Sequence, residues 1–379
     1  MKKALIIAYN DLNNSGVPNV IYQSIKALHN EYSFDVLVFD DDDYYYRKLK
    51  DEGVNINLIK YIDNKSKSKL GRLFWWFYKR PHNQHLFMKK LLKECNYSVI
   101  HSFKEYYSWP FFKAAKEIGV KKRILHRNIN PEKPHKLIIR LLESKNRRLS
   151  IKYASTLIGV SELSCKNAFW DKSYTVLYNS YDEQKYNTNV KNKLSNNELV
   201  VTHVASYSDN KNQLFSLQIL KELKKLHENT RLNLVGATSI DFYYQSLIDY
   251  VKENGLDNNV AFIERTNTVN KIFEHTTFLI LPSHSEGLSL TVIEAQACGI
   301  HVFASSNVTE EVNGGGVTFI DLSAGPAYWA NEINRCFIKQ HNDRTKFNVD
   351  KFSSSIFKKR LSAIYDDKPL EESTHRISI

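Results

Sequence analysis

A chain of 379 residues exceeds the size at which one hydrophobic core usually stops growing, so two domains are expected. With 42% hydrophobic and 25% charged residues, the composition is that of a globular protein and excludes long disordered regions. The net charge of +12 indicates long-range attraction to an anionic partner, such as nucleic acid, an acidic lipid surface or a phosphorylated substrate.

The first apolar run follows Met1-Lys2-Lys3 and ends at Tyr9 without a small-residue cleavage site, so it predicts a buried strand rather than a signal peptide. No apolar stretch approaches the roughly 20 residues that cross a bilayer. The four cysteines lie far apart, without CxxC or metal-ligand spacing, which favours a reducing compartment. We therefore expect a cytoplasmic protein.

Short apolar runs alternate with helical patterns along the chain, which is typical of parallel α/β sheets. Strands are predicted in the first half near 4–9, 34–39, 54–59, 98–101, 123–126, 156–160 and 175–178. A polar stretch rich in Asn and Lys follows, and strands then resume near 199–205, 232–235, 260–263, 278–281, 301–304 and 317–320.

The predicted fold class is α/β, with two Rossmann-like doubly wound domains facing a central cleft. The first domain spans residues 1–180, the linker 181–197 and the second domain 198–350. Residues 351–379 are expected to form a C-terminal helix and a polar tail, for which packing back on the first domain is one arrangement.

The most informative segment follows the predicted strand near 278–281. Glu286-Gly287 forms a loop, Ser289 suits the N-cap of a helix, and Gly299 ends that helix. Such a strand, loop and helix directs free backbone N–H groups at a cleft, where they can hold a diphosphate. Glu286 and Glu294 can accept hydrogen bonds from sugar hydroxyls, although their spacing alone equally allows a loop charge and a solvated helix residue.

The run from Glu286 to Gly299 resembles the Glu-x7-Glu signature of the retaining glycosyltransferases of family 4, which have the GT-B fold. The lead-in Pro282-Ser283 and the exit Ala295–Gly299 match as well. The resemblance implies that Glu286 contacts hydroxyls of the donor sugar and that Glu294 holds the ribose. It also implies an acceptor-side first domain and a second domain that binds the nucleotide sugar.

A second match follows the first strand of the second half. Lys211 begins a helix with an apolar stripe, so its ammonium can reach a phosphate, and a solvated helix lysine is the alternative. The segment resembles the family's Gly-Arg-x-x-x-x-Lys loop, in which the two cations neutralise the diphosphate. Ala205-Ser206 stands where the family has Gly-Arg, and Arg265 is the candidate replacement for the missing cation.

Two features of the first half are also similar to the family. Gly16 permits close approach of the backbone to a ligand, although the family's paired glycines are reduced to one. His126 ends a predicted strand and matches a family histidine near the donor sugar, while His101 ends another. An ordinary turn and structural histidines are the alternatives, and neither histidine has neighbours suited to a metal site.

The resemblance thus implies Glu286, Lys211 and His126 as catalytic residues. The predicted donor-binding residues are Gly16, Ser206, Lys211, Arg265, Glu286, Gly287, Leu288, Ser289, Leu290, Thr291 and Glu294. No metal or other cofactor is required, because the nucleotide sugar is a substrate.

Two further segments have competing interpretations. Asp40–Asp43 contains the Asp-x-Asp spacing of the GT-A metal site, but it also reads as a solvated loop. The basic aromatic segment, Leu70–Arg80, suits the headgroup zone of an anionic membrane, with Arg72–Arg80 as the contact. A buried helix and a single-stranded nucleic acid site are its alternatives, and the absence of a nucleic-acid motif disfavours the latter.

The expected activity is transfer of a sugar from a UDP-sugar to an acceptor alcohol, with retention, in bacterial capsule, exopolysaccharide or other cell-surface glycan synthesis. The expected partners are the UDP-sugar, a glycan or lipid-linked acceptor and an anionic membrane surface at the inner face, without nucleic acid. A non-catalytic glycosyltransferase-like subunit and a UDP-sugar isomerase remain alternatives. The absence of Gly-x-Gly-x-x-Gly argues against a dehydrogenase.

Overall fold

The structure is a computed structural model that describes residues 1–8, 12–13, 16–40, 42–62, 78–128, 137–186, 198–237, 242–339 and 345–370. The chain divides into two compact units. The first comprises Met1–Ser180 together with Ser355–Ile379, and the second comprises Tyr181–Ser354.

The first unit contains a seven-stranded parallel sheet. Its strands are β1 (Lys2–Ile7), β2 (Tyr32–Val38), β3 (Ile56–Lys60), β4 (Val99–Ser102), β5 (Lys122–Arg127), β6 (Thr156–Gly159) and β7 (Thr175–Val176). They lie in the order β3-β2-β1-β4-β5-β6-β7. The helices between them are α1 (Gly16–Leu28), α2 (Tyr44–Asp51), α3 (Arg80–Glu94), α4 (Trp109–Ile118), α5 (Leu137–Tyr153) and α6 (Glu162–Phe169).

The apolar run in β1 explains why this strand is central. Ala4 and Ile6 belong to the hydrophobic core on one face of the sheet, whereas Leu5 and Ile7 belong to the core on the other face. Successive side chains of a strand point to opposite faces, so a run that is apolar throughout requires cover on both sides. The predicted parallel α/β organisation is confirmed.

The second unit contains a six-stranded parallel sheet. Its strands are β8 (Leu199–Val204), β9 (Thr230–Gly236), β10 (Val260–Glu264), β11 (Phe278–Leu281), β12 (His301–Ser305) and β13 (Val317–Ile320). They lie in the order β10-β9-β8-β11-β12-β13. The helices are α7 (Gln213–Leu226), α8 (Phe242–Glu253), α9 (Val269–Phe273), α10 (Leu290–Ala297) and α11 (Gly325–Lys339), and α12 (Ser354–Tyr365) follows.

Both sheets reverse their strand order between the first strand and the fourth. The reversal lies between β1 and β4 in the first unit and between β8 and β11 in the second. The loops after these neighbouring strands diverge to opposite faces, and this leaves a crevice at the carboxyl ends of the strands, where ligands of such folds bind. The loops after these four strands and their neighbours are therefore the candidate positions for a ligand site.

The last helix, α12, is part of the first unit's core although it follows the second unit in sequence. Phe357, Leu361, Ile364 and Tyr365 are buried in the same core as β1 and β2. Arg360 donates a 2.8 Å hydrogen bond from Nη2 to a backbone carbonyl oxygen of β7. The first unit is thus completed by a segment from the other end of the chain.

Several predicted segments are only partly described. The predicted linker begins at Tyr181, which belongs to the second unit, and residues 187–197 lie outside the described residues. Residues 63–77 lie outside them too, so of the basic aromatic segment only its end, where Arg80 begins α3, is described. Asp41 of the acidic run is also outside. Among the described residues, none of the helices combines the length and hydropathy needed to cross a membrane.

Candidate functional site

The loops after β8 and β11 lie side by side in the second unit, because these strands are neighbours in the sheet. Asn210 joins them twice: its side-chain amide donates to the carbonyl oxygen of Ser285 at 3.0 Å, and its own carbonyl accepts from the N–H of His284 at 2.8 Å. The side chain of Asn212 donates to the carbonyl oxygen of Pro282 at 3.2 Å. The two loops therefore form one hydrogen-bonded surface at the switch point of the sheet.

Lys211 and Glu286 form an ion pair within this surface. Lys211 Nζ lies 2.6 Å from Glu286 Oε1, and Ser283 Oγ donates to the same carboxylate oxygen at 2.8 Å. The side chains are 24% and 9% exposed, so the pair is largely shielded from water. An ammonium group has three hydrogens to donate and this contact uses one, which leaves capacity for an anionic ligand.

The backbone at Asn212 presents Lys211 to this surface. Asn212 has a φ of 59°, in the left-handed region that asparagine tolerates better than most residues, and α7 begins at the next residue. The side chain of Gln213 donates to the carbonyl oxygen of Ser206 at 3.0 Å. Asn210, Gln213 and Ser283 were not predicted as site residues, although each is adjacent to, or within three residues of, a predicted one.

The start of α10 fits the predicted anion-binding role. Ser289 is its N-cap residue, but the hydroxyl makes no capping hydrogen bond, and the first turn carries no acidic side chain. Leu288 and Ser289 are buried, and Gly287 is half-buried before them. An uncapped helix start without a carboxylate favours a negative charge at the backbone N–H groups of Leu290 and Thr291.

Glu294 is half-buried within α10. Burial raises the pKa of this carboxyl to about 8, with Lys185 and a hydrogen bond from Tyr186 opposing the rise and Asp182 adding to it. The carboxyl is therefore mainly protonated at neutral pH in the ligand-free protein. A neutral carboxyl can both donate and accept hydrogen bonds, as the hydroxyl groups of a ribose do.

The two other residues predicted around the diphosphate, Ser206 and Arg265, are both exposed. Ser206 is exposed in the loop after β8, and Arg265 is exposed after β10. Arg265 follows β10, whereas the Lys211 loop follows β8, and β9 lies between these two strands in the sheet. The axes of β10 and β8 are therefore about 10 Å apart. The predicted substitution of Arg265 for the missing cation stays a prediction.

Gly16 is the first residue of α1 and is exposed. A Cβ atom added there would meet no atom within 4 Å, so the protein's own packing does not require glycine. Its predicted closeness to a ligand remains to be tested.

The two strand-end histidines are in contact with each other and fully buried. His101 Nε2 lies 3.1 Å from His126 Nδ1, and His101 Nδ1 lies 2.9 Å from the hydroxyl oxygen of Tyr365 on α12. Burial lowers the pKa of His126 to about 3 and that of His101 well below its ordinary value, so both rings are neutral. His126 Nε2 has no hydrogen-bond partner among the described residues. The ring of His126 is closed off from solvent in the ligand-free protein. Its predicted role toward a donor sugar stays a prediction.

No group of three His, Cys, Asp or Glu side chains is arranged to hold a metal ion in the described part of the chain. All four cysteines are free thiols.

The sequence of the second unit and the fold of the chain both resemble those of known glycosyltransferases. Residues 184–320 match the family described as Glycosyl transferases group 1. The crystal structure of HepE from Anabaena in complex with UDP superimposes with a TM-score of 0.72 at 17% identity, covering 97% of this chain and 100% of that one. A glycosyltransferase from Rickettsia africae gives a TM-score of 0.75 at 15% identity, covering 97% and 98%. The fold is therefore that of the GT-B glycosyltransferases, as predicted.

A sequence relative gives a narrower comparison. The chain is 29% identical over 295 residues to the capsular polysaccharide biosynthesis glycosyltransferase CapH of Staphylococcus aureus. The aligned region covers 74% of this chain and 80% of CapH. Residues 184–320 thus form a Glycosyl transferases group 1 domain, and the chain is homologous to a glycosyltransferase of capsular polysaccharide synthesis.

Proposed function

We propose that the protein transfers a sugar from a UDP-sugar to an acceptor alcohol, with retention of configuration at the anomeric carbon. The product would be part of a bacterial capsule, exopolysaccharide or other cell-surface glycan. The observation that carries this proposal is the Lys211–Glu286 ion pair, which lies at the switch point of the second sheet, next to the uncapped start of α10.

In this mechanism the donor diphosphate replaces Glu286 as the partner of Lys211. The ammonium and the N–H groups at the start of α10 then stabilise the negative charge that develops on the departing UDP. Glu286, released from the ion pair, accepts hydrogen bonds from the sugar, and Glu294 holds the ribose. The bond from the anomeric carbon to the phosphate oxygen breaks, the bond to the acceptor oxygen forms, and the acceptor's proton leaves with the diphosphate.

Two comparisons support the choice of donor and pathway. HepE was crystallised with UDP and also with UDP-glucose, and CapH is named for capsular polysaccharide biosynthesis. A UDP-sugar and a capsule-type glycan are accordingly the substrate and product class that we propose for this chain.

Binding of UDP, measured by calorimetry, tests the donor site. Lys211→Ala removes a cation that meets the diphosphate, and Glu294→Ala removes the carboxyl proposed to hold the ribose. Lys211→Ala is expected to weaken UDP binding by about tenfold to a hundredfold, because a hydrogen bond to a charged group contributes roughly 1.5–3 kcal/mol. Glu294→Ala is expected to weaken it by about twofold to tenfold, because a hydrogen bond between neutral groups contributes roughly 0.5–1.5 kcal/mol. The matched control is Lys221→Ala, an exposed lysine on α7 that donates to Asn254. UDP binding that is absent, or equal in all four proteins, would contradict the proposed site.

Turnover is tested separately with a panel of UDP-sugars. Release of free UDP that depends on an added glycan acceptor supports a transferase. Consumption of a UDP-sugar without acceptor and without free UDP would identify an isomerase, and UDP binding without any turnover would identify a non-catalytic subunit.

A lipid-linked acceptor would require attachment at the cytoplasmic face of the membrane, for which the basic aromatic segment is the proposed contact. Flotation with anionic liposomes should decrease in the Trp75→Ala, Trp76→Ala double variant, because interfacial binding scales with buried aromatic surface. Unchanged flotation would count against this attachment.

A further inference from the structure

A second group of polar side chains lies at the carboxyl ends of β4 and β5, in the first unit. We call it the Arg127 cluster, and its members are Glu105, Tyr106, Arg127, Asn128 and Arg147. Arg127 is the last residue of β5, and Glu105 begins the short 3-10 helix Glu105–Ser108 that follows β4. Ligands of doubly wound folds bind at this edge of the sheet.

Direct contacts hold the cluster together. Arg127 Nη1 forms an ion pair with Glu105 Oε2, and the two side chains are 4% and 14% exposed. The guanidinium of Arg127 lies 4.7 Å from the centre of the Tyr106 ring, and that of Arg147 lies 5.5 Å from it. Asn128 is half-buried beside Arg127 in the chain.

Each member of the cluster nevertheless has a buried polar atom that makes no hydrogen bond to any described residue. These atoms are Arg127 Nε, Glu105 Oε1, Tyr106 Oη, Arg147 Nε and both Oδ1 and Nδ2 of Asn128, whereas Arg127 Nη1 has only its ion-pair contact with Glu105. An unsatisfied buried polar group costs about 1–3 kcal/mol, so proteins rarely leave several together without a use.

Arg123, on the same strand, shows that this is not a general property of the sheet. Its Nε donates to the carbonyl oxygen of Tyr153 at 2.7 Å, and its Nη1 donates to those of Val120 and Lys121. Of the two arginines in β5, only Arg127, at the carboxyl end, has a buried side-chain nitrogen without a hydrogen bond to a described residue. The backbone of Glu105 is also in the left-handed region, with a φ of 48°, which is uncommon for a residue other than glycine.

The unsatisfied atoms specify the chemistry of a ligand. Arg127 Nε can only donate and a carboxylate oxygen of Glu105 can only accept, whereas the Tyr106 hydroxyl and the Asn128 amide can do both. A phosphate is an anion that offers mainly acceptors, and it would face the acidic side chain of Glu105, whose pKa is raised by burial and by the nearby Glu143. Hydroxyl groups donate and accept, so a polyhydroxylated, uncharged ligand satisfies the whole set.

We propose that the Arg127 cluster binds the hydroxyl groups of an uncharged sugar ring. Its identification as a sugar of the acceptor glycan rests on the proposed function, whereas the binding itself does not. The cluster contains none of the residues assigned to the donor.

Ligand-observed saturation-transfer NMR on the full chain tests this site, with UDP present in excess. The probes are the methyl glycosides of glucose, galactose and N-acetylglucosamine, and inorganic phosphate is the competitor. Tyr106→Phe is the most informative variant, because it removes a hydroxyl without a partner and should leave thermal stability unchanged or higher. Glu105→Gln and Arg127→Lys test the charged pair, and Arg123→Lys is the matched control.

At least one glycoside should bind the unmodified protein. The Tyr106→Phe, Glu105→Gln and Arg127→Lys substitutions should each lower the affinity for that glycoside by about tenfold or more. Arg123→Lys should bind it normally. The proposal is overturned if none of the glycosides binds, if Tyr106→Phe binds as tightly as the unmodified protein, or if phosphate displaces the glycoside. A failure of UDP to bind would contradict the proposed function and leave this result intact.

Discussion

At the scale of single residues, the ligand-free site keeps its two most important charges in contact with each other. Lys211 and Glu286 are 75 positions apart in the chain, and each supplies the opposite charge that compensates the burial of the other. A buried charge without a partner is costly, and the ion pair avoids that cost for both side chains in the ligand-free protein. The proposed exchange of partners on donor binding would keep both charges paired.

Glu294 leads to a prediction about pH. Its folded-state pKa of about 8 lies above the ordinary value of 4.5, so its contribution to stability is fully present below pH 4.5 and is lost as the pH rises through 8. Glu294→Gln replaces the carboxyl group with an uncharged amide of nearly the same shape, and this amide does not ionise. The variant should therefore gain unfolding free energy relative to the unmodified protein across this range, by at most about 1.4 kcal/mol per pH unit.

Chemical denaturation at a series of pH values checks this prediction. Glu253→Gln, at an exposed position on α8, is the control and should show no such pH-dependent gain. A difference between Glu294→Gln and the unmodified protein that stays constant with pH would contradict the raised pKa.

At the scale of elements, the end of β9 supports the loop after β8. A Cβ atom added to Gly236 would lie 2.1 Å from the carbonyl oxygen of Ala205, so any larger residue must displace the backbone beside Ser206. Gly236→Ala should therefore lower the unfolding free energy by about 1–3 kcal/mol and weaken UDP binding as well. Thermal unfolding and calorimetry measure the two effects.

Gly16→Ala is the comparison for stability, because a Cβ atom there meets nothing within 4 Å. Equal stability of the two glycine variants would show that the contact between β9 and the loop after β8 does not require glycine at position 236.

The helix α12 fixes the hydrogen bonding of the buried histidines. The Tyr365 hydroxyl has one hydrogen-bond partner among the described residues, His101 Nδ1, so we infer that it donates there. His101 then donates from Nε2 to His126 Nδ1, which leaves the hydrogen of His126 on Nε2. Tyr365→Phe should cost the first unit about 1–3 kcal/mol, since it leaves a buried imidazole nitrogen without its donor.

Nitrogen-15 NMR of the histidines, together with denaturant unfolding, checks this assignment. The spectrum should show His126 protonated at Nε2 in the unmodified protein. Tyr328→Phe, at an exposed tyrosine on α11, is the control. Protonation of His126 at Nδ1, or an unchanged unfolding free energy in Tyr365→Phe, would contradict the proposed chain of hydrogen bonds.

At the scale of the whole molecule, the first unit depends on a segment that follows the second unit in sequence. Truncation before Ser354 would expose the core surface covered by Phe357, Leu361, Ile364 and Tyr365. Burial of such a side chain contributes about 1.5–3 kcal/mol, so the loss of roughly 6–12 kcal/mol is comparable with the entire stability of a typical domain. The first unit should therefore unfold while the second stays folded.

Hydrogen exchange followed by mass spectrometry distinguishes the two units. Amides of β1, β2, β4 and β5 should lose protection in the truncated chain, and those of β8 and β11 should keep it. Truncation after Leu370 retains α12 and is the control. Retained protection in β1 would show that α12 is dispensable.

The sequence by itself determined the local part of this description. Apolar runs of strand length, separated by helical patterns, were sufficient to predict two parallel sheets, because burial on both faces leaves a direct signature in composition. The resemblance of the Glu286–Gly299 run and of the Lys211 segment to family motifs chose the loops of the candidate site, which the spacing of Glu286 and Glu294 alone did not do.

Only the tertiary structure decided which of these groups meet. The strand order places β8 beside β11 and so brings Lys211 to Glu286, and α12 returns to the first unit and brings Tyr365 to His101. The Arg127 cluster likewise forms from residues that follow different strands and from α5. Contacts between residues far apart in the chain depend on sheet topology and packing, which a local pattern does not encode.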